Sequence, residues 1–141
     1  NIECEDNAFL TLKNKNNIVA TLHSSATQWR HKFLLEMEFE NGYINLDGIL
    51  SSTRSYAPET MTIGRREFED ITFAMGKPKE STTYYEYDES WNLELEEFIN
   101  AIYGINPIKN GTSNDSLEIM KLVDFIYKIS KVNSKQGLND N

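Results

Sequence analysis

The chain is poor in the residues that build disulfides, zinc sites and nucleotide-binding turns, with one cysteine, two histidines and seven glycines among 141 residues. Cys4 has no second thiol to pair with, which excludes an internal disulfide and favours a reducing, cytoplasmic setting. His23 and His31 are spaced too widely for a helical metal-binding pair, so we predict no metal site. No two glycines are separated by a single residue, so the Gly-x-Gly-x-x-Gly turn that holds a dinucleotide is absent. We therefore predict no cofactor-binding residues in this chain.

Basic residues are also scarce, with 14 Lys and Arg against 22 Asp and Glu and a formal net charge of -8. No segment clusters lysine and arginine, so neither nucleic acid nor an anionic membrane is expected as a partner. No run approaches the roughly 18 consecutive apolar residues of a membrane span, and no charged-then-apolar leader is visible. The length predicts one domain over residues 1–131, followed by a polar tail over residues 132–141.

The first half of the chain alternates apolar and polar residues with a period of two, which is typical of strands that bury one face. Strands are predicted over residues 8–13, 18–23, 31–40 and from residue 43, with shorter candidates near 61–63, 68–73 and 82–87. Asn41-Gly42 indicates a tight hairpin turn with positive φ at both residues. Residues 48–60, with Gly48 and Pro58, are predicted to form a loop.

The second half changes to a helical period. One stripe at i, i+4, i+7, i+8 and i+11 predicts a helix that can end at Gly104; it consists of Trp91, Leu95, Phe98, Ile99 and Ile102. A second helix is predicted from Asn114 or Asp115 to Ser130, with Glu118 in a capping box. Strands followed by helices indicate an α+β fold, a mainly antiparallel open sheet with two helices packed on one face.

The stretch "HSSATQWRH", residues 23–31, holds both histidines and invites a catalytic interpretation. A Ser–His nucleophile needs the two side chains within hydrogen-bond reach and a third group to orient the base. Ser24 follows His23 directly and points to the opposite face of a strand, and no Gly-x-Ser-x-Gly elbow surrounds either serine. We therefore predict a strand end, a turn and a new strand, and no catalytic residue. Trp29 and His31 are predicted at the rim of a binding cleft.

Three tyrosines near the first helix form an aromatic cluster with Trp91; they are Tyr84, Tyr85 and Tyr87. Such residues can stack on a sugar or a base, but more often they close a sheet onto a helix. Core packing is the favoured interpretation.

The order of motifs resembles a known family. The segments "EDNAFLTLKNKNNIVATLHSSATQWRHKF", "EFENGYINLDG", "ETMTIGRR", "WNLELEEFINAI" and "SNDSLEIMKLVDFIYKIS" resemble, in sequence order, the C-terminal domain of the glucose–fructose oxidoreductase and inositol dehydrogenase family. The "HSSATQW" segment is most similar to members that act on sugars or nucleotide sugars. The resemblance covers residues 5–130, which is nearly the whole chain.

The chain departs from that family where the chemistry lies. Full members have an N-terminal Rossmann domain for NAD or NADP, a Glu-Lys-Pro motif leaving it, and an Asp and a His four residues apart. Here the Rossmann domain is absent, and Lys77-Pro78 lacks the glutamate and comes late. The residues four positions before His23 and His31 are Val19 and Thr27. No catalytic residue is therefore carried over.

The resemblance implies the substrate-side and oligomerisation domain of an NAD(P)-dependent oxidoreductase, inactive as this chain, with a sugar-type substrate and NAD or NADP in the full enzyme. The alternative is a stand-alone binding or assembly module without a cofactor. Family members commonly pair through the open sheet, so a homo-oligomer is expected through the face opposite the helices. That face is predicted to carry Phe9, Thr11, Val19, Thr21, His23, Leu34, Glu36, Tyr43 and Asn45.

Overall fold

A computed structural model describes residues 5–51, 53–66 and 79–136 of the chain. The chain divides into two compact units, Asn1–Asp88 and Glu89–Asn141. Among its described residues, the first unit holds six strands: β1 Asn7–Lys13, β2 Val19–Ser25, β3 Leu34–Phe39, β4 Gly42–Ile49, β5 Tyr56–Arg65 and β6 Lys79–Tyr85. The second unit holds α1 Ser90–Ile102 and α2 Ser113–Gln136. Cys4, the strand predicted near residues 68–73, Lys77-Pro78 and the tail from residue 137 lie outside the described residues.

Strands β1 and β2 form a two-stranded antiparallel sheet, in which Phe9 pairs with His23 and Lys13 with Val19. Asn14 organises the turn between them: its Oδ1 atom accepts hydrogen bonds from the backbone N–H groups of Asn16, at 2.9 Å, and Ile18, at 3.0 Å. A short amide side chain that bonds backbone two residues ahead is a common turn device. The two predicted strands are present, but the expected alternation of exposure occurs along β1 only, because β2 is exposed except at Ser25.

Strands β3 to β6 form a four-stranded antiparallel sheet in sequence order. The register divides it into an apolar and a polar face. The apolar face carries Leu35, Met37, Phe39, Ile44, Leu46, Met61 and Ile63 on β3 to β5; it also carries Gly42, Glu59 and Arg65, and on β6 Lys79, Ser81, Thr83 and Tyr85. The polar face carries Leu34, Glu36, Glu38, Tyr43, Asn45, Asp47, Thr60, Thr62, Gly64, Glu80, Thr82 and Tyr84.

The turn between β3 and β4 lies one residue earlier than predicted. Gly42 pairs with Phe39, so the turn consists of Glu40 and Asn41 rather than of Asn41 and Gly42. Gly42 has a φ of 151°, and a Cβ there would meet the backbone carbonyl oxygen of Gly64 on β5. The predicted hairpin is present. Gly42 is the first residue of β4 and not part of the turn, and the close approach of β5 leaves no space there for a side chain.

The predicted loop over residues 48–60 is wrong in its second half, because β5 already begins at Tyr56. Proline is rare in a central strand because it has no N–H to donate to the ladder. Here the register between β4 and β5 shifts: Asp47 pairs with Thr60 and Ile49 with Tyr56, so Pro58 lies in a bulge of β5. Gly48 lies opposite this bulge with a φ of 79°, and its N–H donates to the Phe33 carbonyl oxygen at 3.0 Å. The irregularity accommodates the proline inside the sheet.

Helix α1 ends as predicted. Gly104 has a φ of 69°, its N–H donates to the Ala101 carbonyl, and the Ile105 N–H donates to the Asn100 carbonyl at 2.9 Å. This hydrogen-bond pattern is the Schellman type of helix end, in which a left-handed glycine lets following amides cap the last carbonyls.

Helix α2 differs from the prediction at both ends. Its N-cap is Thr112, whose hydroxyl accepts from the Asp115 N–H at 3.2 Å, while the Asp115 carboxylate accepts from the Thr112 N–H at 2.9 Å. Glu118, predicted for the capping box, instead pairs with Lys121 at 2.7 Å. The helix continues to Gln136, well past Ser130 and into the segment expected to be a polar tail.

The α+β class and the mainly antiparallel open sheet are confirmed. The strands separate into two sheets, and the packing of helices on one sheet face stays a prediction. Among the described residues, no hydrophobic side chain is buried. Within the same ranges, neither helix combines the length and apolar character needed to cross a bilayer.

Candidate functional site

A cleft lies at one end of the four-stranded sheet. The antiparallel register brings the start of β3, the end of β4, the start of β5 and the end of β6 to this end. The cleft has a volume of ≈ 560 Å³. Its lining residues are Leu50, Arg54, Ala57, Pro58, Tyr85, Glu86 and Tyr87. We refer to it as the sheet-end cleft.

Three hydrogen bonds connect the residues on the β4–β5 side of the sheet-end cleft. The Leu50 N–H donates to the Glu59 carboxylate at 2.6 Å. The Arg54 N–H donates to the Ser51 carbonyl at 2.9 Å, and the Ala57 N–H donates to the Arg54 carbonyl at 3.2 Å. These two turns keep Arg54 at a φ of 53°, a left-handed conformation that a non-glycine residue adopts at a cost. Such conformations occur often at ligand-binding positions.

Arg54 and Glu86 bring opposite charges to the sheet-end cleft. In the part of the chain that the structure describes, neither the Arg54 guanidinium nor the Glu86 carboxylate makes a hydrogen bond or an ion pair. Tyr85 and Tyr87 are 40% and 80% exposed, so their rings are accessible beside these charges. The cleft is therefore lined by one guanidinium, one carboxylate and two phenol rings.

The two predicted rim residues occupy the loop before β3. The His31 ring lies 4.9 Å from the ring of Tyr56, the first residue of β5, with 54° between the planes. This contact places His31 at the same end of the sheet as the sheet-end cleft. Trp29 is fully exposed. Their role at a substrate-cleft rim stays a prediction.

The interpretation of residues 23–31 as a strand end and a turn is confirmed. His23 stacks on Phe9, with ring centroids 4.2 Å apart and 10° between the planes. The Ser25 hydroxyl lies 3.2 Å from the Thr27 hydroxyl and accepts from the Thr27 N–H at 3.2 Å, so it holds the turn. The new strand begins at Leu34, three residues later than predicted, because only there does pairing with Asp47 start.

The predicted oligomer face is divided between the two sheets. Phe9, Thr11, Val19, Thr21 and His23 share one face of the β1–β2 hairpin, as the pairing of Phe9 with His23 and Thr11 with Thr21 requires. Leu34, Glu36, Tyr43 and Asn45 share the polar face of the four-stranded sheet. The alternation therefore assigns each group correctly within its own sheet. The contact with a second copy stays a prediction.

Tyr43 spans the polar face from β4 to β6. A Cβ at Gly64 on β5 would lie 2.9 Å from Cδ1 of Tyr43, so the ring covers this glycine. The Tyr43 hydroxyl then donates to Oε1 of Glu80 on β6. This hydrogen bond raises the pKa of the Tyr43 phenol above its ordinary value of 10.0, and the negative charges of Glu80 and Glu38 add to the effect. Tyr43 is therefore protonated at neutral pH, and its hydroxyl connects β4 with β6 by a hydrogen bond.

A second groove lies in the helical unit, with a volume of ≈ 430 Å³. Its lining residues are Trp91, Glu94, Leu95, Glu97, Phe98, Ile108, Asn110 and Gly111. The Glu97 carboxylate accepts from the Lys109 N–H at 2.7 Å, which ties the loop after α1 back to the helix. This groove follows the apolar stripe that the sequence predicts.

Sequence reasoning misses most of the sheet-end cleft. Tyr85 and Tyr87 are exposed, and their packing between the sheet and a helix, the favoured interpretation, stays a prediction. Arg54 lies in the segment predicted as a loop. The feature that marks it is a left-handed φ, which the structure gives and the sequence does not. The useful signal is the aromatic run itself, which also fits a ring-binding surface.

Among residues 5–51, 53–66 and 79–136, no three His, Cys, Asp or Glu side chains cluster closely enough to hold a metal ion. No family model, no curated protein and no solved structure matches this chain.

Proposed function

We propose that this chain is the substrate-side and oligomerisation domain of an NAD(P)-dependent oxidoreductase acting on a sugar or a nucleotide sugar. In this proposal the chain is inactive by itself, and a separate Rossmann domain binds NAD or NADP. The resemblance of its ordered motifs to the glucose–fructose oxidoreductase and inositol dehydrogenase family supports the proposal, together with the α+β architecture.

The observation that carries the proposal is the division of the four-stranded sheet into an apolar and a polar face. An antiparallel sheet can pack one face on a core and leave the other for water or for a partner. Leu35 and Phe39 of the apolar face are 42% and 59% exposed, and three or more strands need a buried apolar face to be stable. A sheet with two different faces can bury one of them and offer the other to a second copy of the chain.

The hairpin supports the same role. Phe9 and Val19 are 73% and 59% exposed and lie on one face with the ring of His23. Clusters of exposed large apolar side chains mark contact surfaces more often than free surfaces. We therefore include this face in the proposed contact between copies.

The oligomer is tested by light scattering on the full chain. A biological contact between two copies buries at least about 1,000 Å² in total. Val19→Lys and Leu34→Lys set like charges against each other across a two-fold contact and are expected to yield monomers. Ile18→Lys is the matched control, because Ile18 is 64% exposed. It directly precedes Val19, the first residue of β2, so by alternation it is not on the face of Val19. A monomeric unmodified chain at high concentration contradicts the oligomer.

The cofactor part has a separate test. Calorimetric titration of the full chain with NAD and with NADP is expected to show no saturable binding, because a dinucleotide needs a glycine-rich turn at a helix start. One-to-one binding at micromolar strength contradicts this part of the proposal. Dehydrogenase activity is expected only when a Rossmann domain is supplied, with nucleotide sugars as the substrate panel.

The alternative is a stand-alone binding or assembly module, and the sheet-end cleft favours it. All of its lining residues fall between Leu50 and Tyr87, so a ligand there needs no second domain. Ligand binding by this chain alone, without any response to a Rossmann domain, would select the alternative. A coding segment for a Rossmann domain in the same reading frame selects the oxidoreductase.

A further inference from the structure

We propose that the sheet-end cleft binds a small zwitterion, with its anionic group on Arg54 and its cationic group on Glu86. This inference goes beyond the proposed function, because it requires neither a cofactor nor a second domain. Three independent features of the cleft support it: its size, its two uncompensated charges and its phenol rings.

The size of the sheet-end cleft suits a small molecule. Ligand sites commonly have volumes of about 300–1,000 Å³, with mainly apolar walls and a few polar groups that orient the ligand. The cleft, at ≈ 560 Å³, is within this range, and Leu50, Ala57 and Pro58 supply apolar wall. Backbone hydrogen bonds of Leu50, Arg54 and Ala57 hold that wall in place.

The charges select the ligand class. An anion alone would meet the carboxylate of Glu86, and a cation alone would meet the guanidinium of Arg54. A molecule that carries both signs can satisfy both groups, neither of which has a partner in the described part of the chain. The nearby Glu59 carboxylate already accepts the Leu50 N–H at 2.6 Å, which leaves Glu86 as the lining carboxylate for a ligand cation.

The geometry of each charged group fits its half of the ligand. A guanidinium presents a planar fork that matches a carboxylate or phosphate in two parallel hydrogen bonds. Glu86 is flanked in the chain by Tyr85 and Tyr87, and the faces of phenol rings attract ammonium groups. The apolar wall of the sheet-end cleft can contact the aromatic or aliphatic body that joins the two charged groups of the ligand.

The test is a titration of the full, ¹⁵N-labelled chain with three matched probes, followed by NMR. L-Phenylalanine carries both charges, phenethylamine lacks the carboxylate, and 3-phenylpropionate lacks the ammonium group. L-Phenylalanine is expected to shift the amide signals of Arg54, Tyr85, Glu86 and Tyr87, and to bind about two- to fivefold more tightly than either single-charge probe, as one exposed ion pair allows. Equal affinity of the three probes, shifts elsewhere, or no binding up to the solubility limit overturns the proposal.

Substitutions assign the two halves of the site. Arg54→Gln is expected to remove the preference for L-phenylalanine over phenethylamine, while Glu86→Gln removes its preference over 3-phenylpropionate. Lys15→Gln, in the β1–β2 turn, and Glu40→Gln, at the opposite end of the four-stranded sheet, are charge-matched controls and are expected to bind all three probes unchanged. Each variant's amide spectrum, compared with that of the unmodified chain, separates loss of binding from loss of folding. Unchanged preferences in both cleft variants contradict the assignment.

Discussion

Replacing Gly48 with alanine is expected to destabilise the four-stranded sheet, because the bulge between β4 and β5 has no space for a side chain. Gly48 is buried at a φ of 79°, and a Cβ there would lie 2.6 Å from the Tyr56 carbonyl oxygen and 2.8 Å from the Pro58 carbonyl carbon. Both are backbone atoms, which cannot move aside as a flexible side chain can. The left-handed conformation costs an L-residue roughly 1–2 kcal/mol, and forced overpacking costs a further 1–3 kcal/mol or so. We therefore expect Gly48→Ala to lower the free energy of unfolding by about 2–5 kcal/mol.

Urea unfolding measures this loss, followed through the amide signals of β4 and β5 for Gly48 and through those of α1 and α2 for the Gly111 control. Gly111→Ala is the control, because Gly111 has a φ of 69° but a Cβ added there would meet nothing within 4 Å. The control carries only the conformational cost of about 1–2 kcal/mol. Gly48→Asn adds a second comparison, since asparagine tolerates the left-handed region but still carries a Cβ. If Gly48→Ala costs no more than Gly111→Ala, the steric argument is refuted.

Three further predictions concern local hydrogen bonds. Thr112→Ala is expected to destabilise α2 by about 1 kcal/mol, as the loss of an N-cap does, measured by circular dichroism. The hydrogen bonds from the Thr112 hydroxyl and N–H hold the pKa of the Asp115 carboxyl below its ordinary 3.8, so the Asp115 contribution is present above that pH and is lost as the pH falls through the folded-state pKa. Thr112→Ala removes the hydroxyl donor but keeps the backbone donor, so its acid titration is expected to show a smaller loss. Tyr43→Phe is expected to remove a phenol that titrates above 10.0 in the folded chain, seen as a lost step in the ultraviolet titration. Because its folded-state pKa is raised, the Tyr43 contribution is present below pH 10.0 and is lost as the pH rises through the folded-state pKa. Asn14→Ala is expected to destabilise the β1–β2 hairpin by about 0.5–1.5 kcal/mol, because water replaces its side chain as the acceptor of two exposed N–H groups in the turn.

Local patterns of residues determined the class of each element. The period of two predicted the strands and assigned Phe9 and His23, or Leu34 and Tyr43, to shared faces, because successive strand residues point to opposite sides. The helical stripe from Trp91 and the stop at Gly104 were also predicted, since both depend on residues close together in the sequence. The acid-first pair of Asp124 and Lys128, at 2.6 Å, belongs to the same class of local contact.

Contacts between distant segments decided the rest. Pro58 predicts a loop, because proline is rare inside a sheet. Only the pairing of β4 with β5 shows the bulge of β5 that accommodates it. No neighbour in the sequence requires glycine at position 64. The ring of Tyr43 on the neighbouring strand requires it, because the ring occupies the space that a Cβ would need. The sheet-end cleft is assembled in the same way, because Arg54 and Glu86 are far apart in the sequence and meet one cleft only through the order of β4, β5 and β6. A sequence shows which charges a chain carries, and only the pairing of its strands decides which of them share a site.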